Sequence, residues 1–213
     1  MMLEQIMQSN VIYGTASFTI ADACSLMDNK RIRHLPIINE SGAIEGILSD
    51  RDVRDASPSI FHTTEMSFLD QSVTTIMKTD VITSMPTDFV EDAATVMVEQ
   101  NISCLPIERE NRLVGIITET DLLKTLVRLT GADLPTSRLE VEVPNVSGML
   151  SEVASLIKEV GVNVQSVLVY PSQNPVKKIL VFRVQTMDTR RLVQSINEHD
   201  FTVLWPNFLS EPI

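Results

Sequence analysis

The sequence predicts an α+β protein: two β-α-β-β-α units in tandem, then a β-α-β-β-α-β sandwich of the ferredoxin-like kind. Three observations carry this. A stretch of about forty-five positions is written twice. Within each copy a helical spacing of apolar residues is followed by two short β-rich runs. After Thr130 the pattern changes to alternating strands around two further amphipathic helices. A chain of 213 residues has room for three small domains, and the pattern sets them at residues 1–60, 71–130 and 137–213.

The duplication keeps its register. Ile6-Met7 recurs as Ile76-Met77, Val11-Ile12 as Val81-Ile82, Asp22-Ala23 as Asp92-Ala93, and Leu35-Pro36-Ile37 as Leu105-Pro106-Ile107. Gly46, Ile47 and Asp52 return as Gly115, Ile116 and Asp121, one residue closer. The missing residue belongs to a loop, Asn39-Glu40-Ser41-Gly42 in copy 1 and Arg109-Glu110-Asn111 in copy 2, suited to a tight turn between strands. Each unit begins with a short extended stretch, Val11 to Tyr13 or Val81 to Thr83. A helix follows with an apolar face of Ile20, Ala23, Cys24 and Met27, or of Val90, Ala93, Ala94 and Met97. Pro36 and Pro106 mark strand starts or edges. The strand that starts near Gly46 or Gly115 runs into a second helix, which in copy 2 carries Leu122, Leu123, Leu126 and Val127. A unit of this size is small for a stable core, so the two copies are expected to bury each other's open faces. Ala56 to Ser72, rich in turn formers, is the connector.

In the last domain Leu139, Val141 and Val143 alternate with polar residues as a half-buried strand. Asn145 or Ser147 is placed to cap a helix with Val146, Leu150, Val153, Ile157 and Val160 on its apolar face, ending at Gly161. Val162 to Tyr170 and Lys178 to Val184 read as strands joined by Pro171-Ser172-Gln173-Asn174-Pro175. A helix from Asp188 or Thr189 turns Leu192, Val193 and Ile196 inward, and Phe201 to Trp205 closes as a strand.

Composition narrows the function. A 44% hydrophobic fraction indicates filled cores. A net charge of −11 opposes binding to nucleic acid or anionic membranes, so any phosphate must be held by a local basic patch. The N-terminus, MMLEQIMQSN, lacks the apolar core of a signal peptide, and no apolar run nears a membrane span. Cys24 and Cys104 form no CxxC and are expected as buried reduced thiols. These features describe a soluble cytoplasmic protein. His34, His62 and His199 lie far apart, with no metal-ligand spacing, no G-x-S-x-G and no P-loop, so the expectation is a protein that is not an enzyme, with no metal site.

The feature shared most closely by the copies is GILSDRD, Gly46 to Asp52, against GIITETD, Gly115 to Asp121. Each is a short strand running into a hydroxyl residue with an aspartate three positions on. Taken alone, Ser49-x-x-Asp52 and Thr118-x-x-Asp121 are capping boxes, each contributing about 1 kcal/mol and implying no ligand. Set at a strand end, where helix N–H groups point outward, the same residues suit a ribose and its phosphate. A carboxylate accepts two hydrogen bonds from neighbouring hydroxyls, and a hydroxyl donates to phosphate.

With that frame the two repeats resemble a tandem pair of CBS domains, a Bateman module, and the C-terminal part resembles an ACT domain. The order CBS-CBS-ACT over essentially the whole chain is similar to the acetoin-utilisation family of spore-forming bacilli, and the segments RHLPI, SDRD, ASPSIF, LTGAD and VLVYP strengthen the match. The resemblance implies a non-catalytic regulator that senses AMP, ADP, ATP or S-adenosylmethionine in the CBS pair. It implies no catalytic cofactor, a homodimer, and an unidentified protein partner in acetoin catabolism with a link to sporulation. It assigns Ser49, Asp52, Val11, Ile12 and Tyr13 to one nucleotide site and Thr118, Asp121, Val81, Ile82 and Thr83 to the other. Copy 1 has Lys30, Arg31, Arg33 and His34 where copy 2 has Gln100, Asn101, Ser103 and Cys104. Arg33 and His34 are therefore candidate phosphate contacts, or else residues of a solvated strand edge. Asn145, Gly148 and Asn163 match an ACT effector loop, with Asn145 in place of the commoner aspartate; the residues alone read as a helix cap and a strand end. The alternative is a constitutive dimerising scaffold with empty clefts.

Overall fold

The computed structural model describes residues 1–56 and 68–207. The first part of the expected connector, residues 57–67, with most of ASPSIF and His62, lies outside the described residues, as do residues 208–213. The chain divides into two units, Met1–Leu123 and Lys124–Ile213.

In the first unit, copy 1 consists of α1 (Ile20–Lys30), β1 (His34–Ile38), β2 (Ile44–Ser49) and α2 (Asp50–Ala56). Copy 2 consists of α3 (Val90–Glu99), β3 (Cys104–Arg109), β4 (Arg112–Thr118) and α4 (Glu119–Thr130), whose last turns pass into the second unit. β1 with β2, and β3 with β4, are antiparallel hairpins. The extended stretch expected at the head of each unit forms a single parallel bridge instead of a strand, Gly14 to Ile37 and Ser84 to Ile107. Pro36 and Pro106 sit within their strands, and each carbonyl accepts the N–H of that incoming stretch, from Gly14 at 2.9 Å and from Ser84 at 3.1 Å. The helices bury the expected faces: Ile20, Ala23 and Met27 in α1, and Ala93 and Met97 in α3. Thr19 starts α1 with a capping box, its hydroxyl accepting from the Asp22 N–H at 3.1 Å.

Two 3-10 turns, Leu3–Gln5 and Val73–Thr75, precede the copies, and each is exchanged. Leu3, at the head of copy 1, is wholly buried in the copy 2 core with Ala93, Met97, Leu105, Ile107 and Ile117. Val73, at the head of copy 2, is wholly buried in the copy 1 core with Ala23, Met27, Leu35, Ile37 and Leu48. The backbone repeats the exchange. Leu3 N–H donates to Asp88 at 2.9 Å and Val73 N–H to Phe18 at 3.0 Å, while the Met1 carbonyl accepts from Val90 and the Gln71 carbonyl from Ile20. Carbonyls from the opposite copy thus satisfy N–H groups at the start of α1 and α3.

The second unit is a four-stranded antiparallel sheet in the order β6-β7-β5-β8, formed by β5 (Ser137–Pro144), β6 (Val164–Pro171), β7 (Lys177–Val184) and β8 (Thr202–Trp205). Helices α5 (Met149–Glu159) and α6 (Arg190–Glu198) cover it. Leu139, Val141 and Val143 meet Val153, Ile157, Leu192 and Ile196 in its core. α5 starts later than the sequence predicts. Neither Asn145 nor Ser147 caps it; Gly148 does, at φ 93°, a left-handed conformation natural to glycine. Val146 and Leu150 are therefore exposed, and the inner face is Val153, Leu156 and Ile157. Gly161, at φ 78°, follows the end of the helix as expected.

Candidate functional site

The repeated strand-to-helix junctions form the cap their sequence encodes. The Ser49 N–H and hydroxyl both donate to Asp52 Oδ2, at 2.8 and 2.6 Å, and the Asp52 N–H donates back to Ser49 Oγ at 3.2 Å. In copy 2 the Thr118 N–H and hydroxyl donate to Asp121 Oδ2 at 3.0 and 2.7 Å. In both boxes these cap bonds go to Oδ2 and not to Oδ1. Asp121 is buried, and the Asp52 side chain is 14% exposed. The start of the preceding hairpin is tied to each junction: the Asp50 N–H donates to the Arg33 carbonyl at 3.0 Å and the Glu119 N–H to the Ser103 carbonyl at 3.1 Å.

The junctions also meet across the copies. In strand register His34 faces Ser49 and Cys104 faces Thr118. His34 Nε2 lies 2.8 Å from Ser103 Oγ, so one hydrogen bond joins the start of β1, beside one box, to the residue just before β3, beside the other. Burial, and then the neighbouring Arg33 guanidinium, lower the His34 pKa, against the pull of Asp50, Asp52 and Glu119. Burial likewise pushes the Cys104 thiol up to about 12. Cys104 is buried as expected, whereas Cys24 is only half-buried; both are free thiols.

Residues that the sequence did not single out lie at the same junctions. Lys78 exchanges two backbone hydrogen bonds with Ile47, both 2.9 Å, and Gln8 does the same with Ile116, at 2.9 and 3.1 Å. Ile47 and Ile116 each lie two residues before the hydroxyl of a box. The Lys78 ammonium is 3.8 Å from Asp52 Oδ1. The stretch leading into copy 2, which continues to Val81, Ile82 and Thr83, therefore starts against the copy 1 hairpin. The stretch leading into copy 1, continuing to Val11, Ile12 and Tyr13, starts against the copy 2 hairpin. Ile12 and Ile82 pack into their own copy's core, and Tyr13 is exposed. The repeat alignment of Gln8 with Lys78 was the available signal.

The close approach of these stretches explains the repeated glycines. A Cβ on Gly46 would lie 2.6 Å from Met77 Sδ and 3.0 Å from the Lys78 carbonyl, and one on Gly115 would overlap Met7 Sδ.

Two family models match the chain: the CBS domain at residues 3–59 and 73–128, together more than half of its length, and the ACT domain at residues 137–200. It belongs to the CBS-domain family. This CBS-domain protein carries a tandem pair followed by an ACT domain. Among curated relatives, a homoserine O-acetyltransferase from Methanococcus vannielii is 35% identical over 125 residues, 58% of this chain, but the match spans only 24% of that protein. Among solved structures, an acetoin utilization protein (AcuB) from Vibrio cholerae superposes with a TM-score of 0.55 at 28% identity, covering 62% of this chain and 95% of that one. The CBS domain pair of protein MJ0100, solved with 5′-methylthioadenosine and S-adenosyl-L-methionine, gives a TM-score of 0.52 at 26% identity over 59% of this chain and 95% of that one.

In the ACT domain the Asn145 N–H donates to the Val176 carbonyl at 2.9 Å, and the Asn163 side chain donates to Gln185 Oε1 at 3.1 Å. A shallow groove there is lined by other residues, among them Ser151, Glu152, Glu159 and His199. Among the described residues no cluster of histidine, cysteine and acidic side chains is set to hold a metal, and no helix is long and apolar enough to cross a membrane.

Proposed function

We propose that this CBS-domain protein is a non-catalytic cytoplasmic regulator whose CBS pair senses an adenosyl-type small molecule: AMP, ADP, ATP or S-adenosylmethionine. The observation that carries the proposal is the matched pair of boxes in which one carboxylate oxygen is spent on the cap and the other is left for ribose. The ligands held by the MJ0100 pair support it. Each cleft then takes its box and its leading stretch from one copy, Ser49 and Asp52 with Val11, Ile12 and Tyr13, and Thr118 and Asp121 with Val81, Ile82 and Thr83. The bridges of Gly14 to Ile37 and Ser84 to Ile107, and the packing of Ile12 and Ile82 in their own copy's core, favour this division, with Lys78 and Gln8 reaching in from the other copy. Domain limits of 1–60, 71–130 and 137–213 accompany the proposal.

The likeness to AcuB supports a role in acetoin utilisation; action through a partner protein and the expected link to sporulation are added to the proposal from the resemblance alone. The ACT domain supports a homodimer: its edge strand β6 carries no charged residue and exposes Val167, Leu168, Val169 and Tyr170, a surface suited to pairing with a second copy. Asn145, Gly148 and Asn163 are kept as its candidate effector loop.

A thermal-shift panel of the four ligands tests the reading. At a hundred times Kd a true ligand stabilises by about 2.7 kcal/mol, and the shift should vanish in Asp52→Ala plus Asp121→Ala. The comparison is of ligand-induced shifts, because each substitution also removes a cap. Silence across the panel leaves the constitutive scaffold.

A further inference from the structure

We propose that Lys78 makes the Asp52 cleft the one that takes a phosphorylated nucleoside, and that Gln8 leaves the Asp121 cleft to adenosyl ligands without a phosphate. The inference rests on the reading of both clefts as nucleoside sites.

The two residues hold one position in the duplicated plan, and their backbones are fixed alike by paired hydrogen bonds to Ile47 and Ile116. Only the side chains differ, an ammonium in one cleft and a neutral amide in the other. Among the described residues Lys78 is the one cation in an ion pair with either cleft aspartate. At 3.8 Å it is beyond hydrogen-bond range of Asp52 Oδ1, and its side chain is 69% exposed. So open a pair contributes little and is readily exchanged for a better acceptor. A phosphate is that acceptor, with more charge and more oxygens than a carboxylate. Asp50, Asp52 and Glu119 bear on this region against Arg33 and Lys78, so a cation here is set among carboxylates.

Calorimetric titration of the full chain with AMP and with adenosine tests the assignment, using Asp121→Ala to silence the second cleft. Lys78→Gln should weaken AMP about ten- to a hundredfold, the size of one hydrogen bond to a charged group. Adenosine should stay within about twofold, and Lys78→Arg should restore most of the AMP affinity. In a chain carrying Asp52→Ala, Gln8→Lys should raise AMP affinity at the other cleft. Equal losses for AMP and adenosine, or no loss of either, would overturn the role of Lys78 while leaving the clefts as nucleoside sites. If the unaltered chain bound neither compound, the clefts and this assignment would fall together.

Discussion

Gly46 shows how much one missing atom decides. Gly46→Ala would drive a methyl group against Met77 and the Lys78 carbonyl, at 2.6 and 3.0 Å. Overpacking of this kind costs about 1–3 kcal/mol, to be read from urea unfolding; the same substitution at Gly115 acts on Met7. His34 makes stability depend on pH. Its folded pKa lies below the ordinary 6.5, so the folded chain binds that proton more weakly than the unfolded one. Nothing is lost above the unfolded value, and stability falls as pH drops through that value towards the folded one. The groups bearing on the ring are Ser103, Arg33, Asp50, Asp52 and Glu119. Between about pH 7.5 and 5, wild type should therefore lose more stability than His34→Gln, a difference that cancels the carboxylates common to both. The cysteines supply a third residue-level test. Cys104, buried and with its thiol pushed up to about 12, should resist iodoacetamide until the chain unfolds, whereas half-buried Cys24 should react first.

Among the elements, those with a strong period were legible in the sequence. The faces of α1 and α3, the alternation in β5 and the inner face of α6 fall where spacing places them, because one wall of each is buried and the rest is wet. The start of α5 was not legible: Asn145 and Ser147 are good caps, but the chain uses the left-handed freedom of Gly148 three residues after Asn145. The extended stretches at Val11 and Val81 are too short to show a period, and each leads into a single bridge, at Gly14 and at Ser84. The turns Leu3–Gln5 and Val73–Thr75 have too few residues to show any period, yet each buries an apolar anchor completely. Leu3→Ala should cost about 2–5 kcal/mol. Val73→Ala should cost less, because a smaller side chain is removed, and both are measurable as shifts in the denaturant midpoint.

Over the whole molecule, the duplication and the change of pattern after Thr130 made the domain order readable, and the aspartate boxes stood out because they were written twice. What the sequence hid was which copy each leading segment serves. A repeat alignment matches Gln8 to Lys78 and Leu3 to Val73, but it is silent on whether a segment folds onto its own hairpin or its sibling's. That choice is a matter of loop reach, and it sets Lys78 and Gln8 against the sibling's hairpin while Ile12 and Ile82 stay in their own copy's core.

The exchange of leading turns also bears on how the pair is held together. A chain with a single repeat would own a turn with nothing to cover and a hairpin with nothing covering it, and two such chains would satisfy each other about a twofold axis. The tandem protein has the plan of that swapped dimer with its halves tethered, so the connector acts chiefly by setting a local concentration. A protease site placed between residues 56 and 68 tests this. After cleavage the pieces should co-elute when concentrated and part on dilution, with a midpoint that follows mass action.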